Sequence, residues 1–388
     1  MMKLLQLCLA LVLLAGMAPA VAIGDEALTI NVILSLTGPA AFVGVDEKAA
    51  VAVYENAINK SGGIRGRQVH FQIWDDQSSP QVALQLANGI IDKHAPVIVG
   101  PAVTGTCAAT DPVVRSSGPV EYCLSPGLQP QKGTFVFSSS RSLDATLLAE
   151  ARFLNDKNYD RIGVLTATDA SGQAGSHGLY DAMPAYHSLQ IIDEEKFAPS
   201  AITLNAEVSK ILQLKPQCIF IFATGPAFAT ALRALKDAGV DLPVFTSSAN
   251  LNKEQLTQYS AFLPKDLYFD GFPFQVGVPM GTAGQRNAYA TFVAAFKSAG
   301  VVPTTTSAYA WDPMNIVVSA FKQVGPDATS TQIRDYIANL HDFGGVNGSY
   351  DFRSGDQHGL GTDSVVVVKW SPAAGAVTAA SGTGGKPL

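Results

Sequence analysis

Residues 96–106 read PVIVGPAVTGT. The first five are a short apolar run, rich in β-branched side chains and without polar alternation, as in a strand buried on both faces of a parallel sheet. Gly100-Pro101 breaks the run, and Thr104 stands where a helix starts. Strand, corner and helix start are the core of a βα unit, and the chain on either side repeats it. Upstream, LTINVILS (28–35) is a strand. A helix follows, with Ala50, Val53, Tyr54, Ala57 and Ile58 at i, i+3, i+4, i+7 and i+8, and Ser61-Gly62-Gly63 stops it. QVHFQIW (68–74) is the second strand, and Pro80 opens a helix with Ala83, Leu86, Ala87, Ile90 and Ile91 on one face. Downstream, a helix runs from Thr104 to before Gly118, and PVEYCLS (119–125) is the fourth strand.

The rhythm then restarts. Helices are expected at 143–157, 173–187, 201–214 and from Phe228 to Gly239; strands at RIGVLTA (161–167), LQIIDEEKF (189–197), CIFIFA (218–223) and LPVFTSS (242–248). Repeated βα units of this kind predict an α/β protein with two doubly wound parallel sheets, helices on both faces and right-handed crossovers. Beyond residue 270 the pattern loosens. FDGFPFQVG (269–277) reads as an extended crossing segment, helices follow at 284–299, 307–323 and 330–340, and a last strand lies at 364–370. The small, Gly-rich residues from Pro372 read as a frayed tail.

The N-terminus carries Lys3, the apolar run LLQLCLALVLLAG and then small residues at Ala18, Ala20 and Ala22. A positive start, a short apolar stretch and an A-x-A site predict a secretory signal over residues 1–22, too short for a membrane anchor. The expected product is a soluble, periplasmic protein. Three cysteines remain: Cys107, Cys123 and Cys218. An exported protein can hold a disulfide, so a Cys107–Cys123 bridge is expected, with two buried thiols as the alternative. Cys218 reads as a buried strand thiol.

Lys+Arg is 26 against Asp+Glu 32 in 388 residues, a net charge of −6, which argues against nucleic-acid binding. No metalloprotease, nucleophile-elbow or P-loop motif is present, no G-x-G-x-x-G follows the first strand, and the six histidines are scattered, so no metal, cofactor or enzymatic activity is expected. Asp75-Asp76 reads as two acids solvating a turn at a strand end, in preference to a catalytic pair.

SLTGPAAFVG (35–44), NKSGGIRGRQVHFQIWDDQSSP (59–80) and VIVGPAVTGT (97–106) resemble the Leu/Ile/Val-binding protein family, the substrate-binding proteins of branched-chain amino-acid-type ABC transporters. Ser125-Pro126, GPAFATALRALKDAG (225–239) and GSYDFRSGDQHG (348–359) extend the resemblance across about residues 28–370. It implies a type I periplasmic binding protein whose two lobes are joined by three crossings, near 139–142, 269–274 and 343–348. The N-terminal lobe would then hold 23–140 plus 273–345, the C-terminal lobe 141–272 plus 346–376, and 377–388 would form a flexible tail. Ligand would bind in the cleft between lobes, and the partners would be that ligand and a membrane permease, with the protein itself a monomer.

By its own chemistry the Thr104 segment suits either a carboxylate at a helix start or a plain N-cap; the resemblance selects the ligand contact. It places carboxylate contacts on Thr104 and Gln129, with backbone from Ala102 and Val103, and a carbonyl facing the ammonium group at Gly127. Val43 sits where amino-acid binders often carry an aromatic, Ser171 and Thr224 replace two tyrosines, and Ala249 replaces the glutamate that pairs with the ligand's ammonium. Phe42, with Phe228, Phe272, Phe274, Tyr309 and Trp311, is a candidate aromatic wall, ordinary packing being the competing role. A missing acid at 249 leaves an ammonium unpaired, which is costly when buried. The expectation is therefore a carboxylic acid with an aromatic or bulky apolar body. The alternatives are a neutral or branched-chain amino acid held by an acid elsewhere, or a sensory protein for the same ligand.

Overall fold

Both halves of the chain fold their strand–helix units into parallel sheets of the same strand order. The computed structural model describes residues 27–139, 141–278 and 281–388, so the export signal expected at 1–22 lies outside the described residues. The first lobe runs β1 (Leu28–Leu34), α1 (Ala41–Lys60), β2 (Val69–Asp75), α2 (Pro80–Ile91), β3 (Val97–Val99), α3 (Thr104–Val114), β4 (Val120–Cys123) and β5 (Val136–Ser138). Its sheet order is β2-β1-β3-β4-β5, parallel throughout.

The second lobe follows with α4 (Leu143–Lys157), β6 (Arg161–Ala167), α5 (Ala170–Ala182), β7 (Gln190–Phe197), α6 (Asn205–Gln213), β8 (Cys218–Phe222), α7 (Gly225–Asp237), β9 (Val244–Thr246), α8 (Lys253–Gln258) and β10 (Leu267–Gly271). Its parallel part, β7-β6-β8-β9-β10, repeats the first order. Each lobe therefore has a switch point where neighbouring strands send their connections to opposite faces: between β1 and β3, and between β6 and β8. That is where open α/β sheets bind ligands.

The chain returns to the first lobe with α9 (Ala283–Ala299), α10 (Thr305–Val324), α11 (Ser330–Ala338) and the hairpin β11 (Phe343–Gly344) and β12 (Ser349–Tyr350). Trp311, Phe321 and Ile337 from these helices join Ile30, Val32 and Tyr54 in one core. Finally β13 (Val366–Ser371) and β14 (Ala376–Ala379) add antiparallel strands beyond β10. Among the described residues no helix is long and apolar enough to cross a membrane.

The expected lobe boundaries need correction at the third crossing. Val346, Tyr350, Phe352 and Leu360 all lie in the first lobe's core. Asp312 on α10 holds this segment, accepting hydrogen bonds from Val346 N (2.8 Å), Asn347 N (2.8 Å) and the Tyr350 hydroxyl (3.0 Å). The chain leaves for the second lobe only after Leu360, about 15 residues beyond the expected 343–348, because a buried carboxylate anchors a stretch that the sequence presents only as polar and Gly-rich.

The flexible tail is also corrected. β14 pairs with β13, Val367 N donates to Ser381 Oγ (2.8 Å), and the amides of Ala380 and Ser381 both donate to Val367 O. Gly385, at φ +71°, approaches α4 so closely that a Cβ there would lie 1.9 Å from Ala149 O. The glycines that suggest fraying are what let the chain pack onto the helix. Asp76 differs from expectation too. It is buried and accepts from Ser35 Oγ (2.7 Å) and Ser78 N (2.8 Å), while Asp75 accepts from Leu36 N (2.9 Å) and the Thr37 hydroxyl (2.8 Å), so the pair stitches two loops together. Cys107 and Cys123 are bridged, Cα–Cα 5.9 Å, inside a small core with Val114, Leu128 and Val136. Cys218 is free and buried on β8, and burial pushes its thiol up.

Candidate ligand-binding cleft

The carboxyl ends of β3, β4, β6, β8, β9 and β10 converge on one cavity of ≈ 100 Å³ between the lobes. The first-lobe wall is Thr104, Ser125, Pro126 and Gly127. Val103 is the N-cap of α3 and provides no side-chain cap bond, so Thr104 is the first helical residue and not a cap. Its hydroxyl bonds Ser125 Oγ instead (2.7 Å), and Ser125 Oγ accepts from Gly127 N (3.4 Å). On the opposite lobe Thr224, the N-cap of α7, also makes no side-chain cap bond. Two helix N-termini without side-chain caps therefore face the cleft, one from each lobe, and their partial positive charge favours an anion between them. Asn250 holds the second of these loops, donating to Ala223 O (2.8 Å) and Thr246 Oγ1 (2.9 Å) and accepting from Gly225 N (3.2 Å).

The rest of the second-lobe wall is apolar, with an acidic floor. Leu143, Thr146, Leu147 and Glu150 fall at i, i+3, i+4 and i+7 and so share the cavity-facing side of α4. Phe220 and Phe222, on one face of β8, complete an apolar compartment. Asp270 sits at the end of β10. Its carboxylate accepts three hydrogen bonds, from Arg141 Nη2 at 2.6 Å and Ser248 Oγ at 2.7 Å on Oδ2 and from Ser248 N at 2.7 Å on Oδ1. The Tyr309 hydroxyl bonds Ser248 Oγ (2.6 Å), so Tyr309, Ser248 and Asp270 form one chain reaching from α10 across to the second sheet. Burial, and next the charge of Asp270, push the Tyr309 phenol up, keeping it a neutral donor. Glu150 is 3% exposed, and burial followed by repulsion from Asp270 raises its carboxyl well above the usual range.

Of the sequence-proposed residues, the structure brings Thr104, Gly127, Ser171, Thr224 and Ala249 to this cavity. Ala102 and Val103 lead into it without lining it. Val43 is buried on α1, and the Phe42 ring lies beside Gly225 at the start of α7, a contact between lobes. Gln129 is exposed and away from the cavity: Leu128 turns into the disulfide core and sends its neighbour to solvent. Among the candidate aromatic walls only Tyr309 lines the cavity; Phe228, Phe272, Phe274 and Trp311 pack in the lobes. Sequence reading missed Phe220, Phe222, Glu150 and Asp270. A strand covered on both faces hides which side meets ligand, and a helix stripe reads as core until its neighbour is known to be a cavity.

The family model for periplasmic binding proteins matches residues 27–376. The chain belongs to the periplasmic binding protein family. It is accordingly a periplasmic solute-binding protein and not an enzyme. A curated relative, the leucine-, isoleucine-, valine-, threonine- and alanine-binding protein of Pseudomonas aeruginosa, is 24% identical over 321 residues, 77% of this chain and 72% of that protein. An extracellular ligand-binding receptor from Rhodopseudomonas palustris HaA2 superposes with TM-score 0.80 at 20% identity, over 92% of this chain and 100% of that one. A solute-binding protein of an ABC transporter from R. palustris, solved with benzoate, superposes with TM-score 0.75 at 17% identity, covering 94% of this chain and 98% of that one. These structural likenesses show that this binding protein has the two-lobed type I fold.

Proposed function

We propose that this binding protein captures a small amino acid in its interlobe cleft and delivers it to an ABC permease. The observation that carries the reading is the cleft's polarity. Two helix N-termini and the Thr104–Ser125 hydroxyls offer donors, and acids at Glu150 and Asp270 line the same cavity. A solute with a carboxylate and an ammonium matches both kinds of group; a plain organic acid matches one. The relative from P. aeruginosa is named for binding leucine, isoleucine, valine, threonine and alanine, which supports the same class. Thr104 and the N-terminal amides of α3 would hold the ligand's carboxylate. Leu143, Leu147, Phe220 and Phe222 would take its apolar side chain. Ligand would draw the lobes together by hinge motion at the crossings, and the closed form would dock on the permease.

An aromatic acid is the second reading. It is favoured by the uncharged Ala249 in the cavity wall, by the two phenylalanines on β8, and by the benzoate-bearing structure of like fold. Isothermal titration of the mature protein with leucine, threonine, alanine and benzoate decides between them. Heat from an amino acid but not from benzoate is expected; benzoate alone giving heat rejects the amino-acid reading.

A further inference from the structure

Ala249 brings no charge to the cleft wall, and Asp270 already accepts three hydrogen bonds and pairs with Arg141. Glu150 differs from both. It lines the cavity from α4, is nearly fully buried, and makes no hydrogen bond or salt bridge to any described residue. Arg141, whose charge acts on Glu150, spends Nη2 on Asp270 at 2.6 Å and Nε on Thr146 Oγ1 at 3.2 Å, and its buried Nη1 has no hydrogen-bond partner among the described residues. A buried carboxyl that neither hydrogen-bonds nor forms a salt bridge is costly to retain, and a cation arriving in the cavity would complete it.

We infer that Glu150 is the counter-charge for the ligand's ammonium, supplied by helix α4 in place of the β9 loop. This rests on the amino-acid reading and sharpens it, because it makes discrimination between amine-bearing and amine-free acids the property of one side chain. Burial and then the charge of Asp270 raise the Glu150 carboxyl well above its usual range, with the Arg141 charge opposing them. An ammonium beside it reverses that balance and binds an ionised carboxylate. The shared chemistry is an ammonium on a carboxylic acid; whether it is borne on the α-carbon or at the far end of the molecule is settled by the choice of probes.

The experiment is titration of the wild-type mature protein and of Glu150→Gln with leucine, γ-aminobutyrate and isocaproate, the last being leucine without its amine. Thermal unfolding of both proteins is recorded alongside. Wild type should bind one of the amine-bearing acids and discriminate against isocaproate. Glu150→Gln should weaken the amine-bearing acid by about tenfold or more, the size expected for a lost hydrogen bond to a charged group, and should bind isocaproate no worse than wild type does. Equal affinity of wild type and Glu150→Gln for the amine-bearing acid overturns the inference and leaves the amino-acid reading standing. Wild type that binds isocaproate and neither amine-bearing acid overturns both. If Glu150→Gln unfolds below the assay temperature, Glu150→Asp takes its place: it keeps the charge, withdraws it by one methylene, and should retain preference for the amine at reduced affinity. Loss of that preference with isocaproate binding intact supports the inference equally, and unchanged affinity in Glu150→Asp counts against it.

Discussion

A methyl group at residue 127 would press on Thr104 in the cleft wall. A Cβ built on Gly127 lies 2.4 Å from Thr104 Oγ1, so Gly127→Ala must displace the hydroxyl. It is expected to lower ligand affinity by about tenfold, the loss of one charged hydrogen bond, with the unfolding temperature nearly unchanged. Calorimetric titration checks the first and differential scanning the second. Thr104→Val keeps the volume and removes the hydroxyl, leaving Ser125 Oγ without its 2.7 Å partner. It should cost about 1.5–3 kcal/mol of binding free energy for a carboxylate ligand, and unaltered affinity would place the carboxylate elsewhere. At this scale the residues around Thr104 leave a ligand contact and a plain N-cap equally open, and only the family resemblance selects the first. Glu150 and Asp270 are unreadable there. One sits in an amphipathic helix stripe and the other in an aromatic stretch that reads as a crossing, and only the fold turns both toward a cavity.

Between elements, α3 and β4 are tied by the Cys107–Cys123 bridge across 16 residues. Replacing both cysteines with alanine should cost about 3 kcal/mol by loop closure in the unfolded chain, read from urea unfolding. No change would mean that the unfolded state is constrained by other means. The C-terminal segment makes a second prediction at this scale. Truncation after Ala376 removes most of β14 and the Ser381 hydroxyl that accepts from Val367 N. It also uncovers the edge of β13. The shortened chain should unfold at lower temperature and aggregate more readily, as light scattering during a thermal ramp would report; an unchanged midpoint would mean that the tail adds nothing to the lobe. Helices and parallel strands were legible because their apolar periodicity is local. β5, β10 and β14 were not, being three to five residues long, too short to show a period of their own.

For the whole molecule, the buried acids make stability depend on pH in a definite direction. Asp312 is raised from 3.8 to about 6, chiefly by burial, with its hydrogen bonds opposing; Glu47, Glu121 and Glu150 are raised in the same sense by desolvation. Between the unfolded and folded values the folded protein binds the extra protons, so stability falls as pH rises through that window. For Asp312 alone the change amounts to about 3 kcal/mol. The ligand-free protein should therefore unfold at higher urea concentration at about pH 5 than at about pH 8, and the opposite order would mean that these acids are ionised and paired in the native state. Saturating ligand adds about 2.7 kcal/mol at 100 times its dissociation constant. Sequence alone determined the two-sheet α/β plan and, through its ordered motifs, the family, since hydrophobic period, turn residues and motif order are written along the chain. Only the tertiary structure decided the cleft's acidic floor, the third crossing after Leu360 and the docking of the C-terminus. Each depends on which distant groups share a low-dielectric space, and no local pattern encodes that distance.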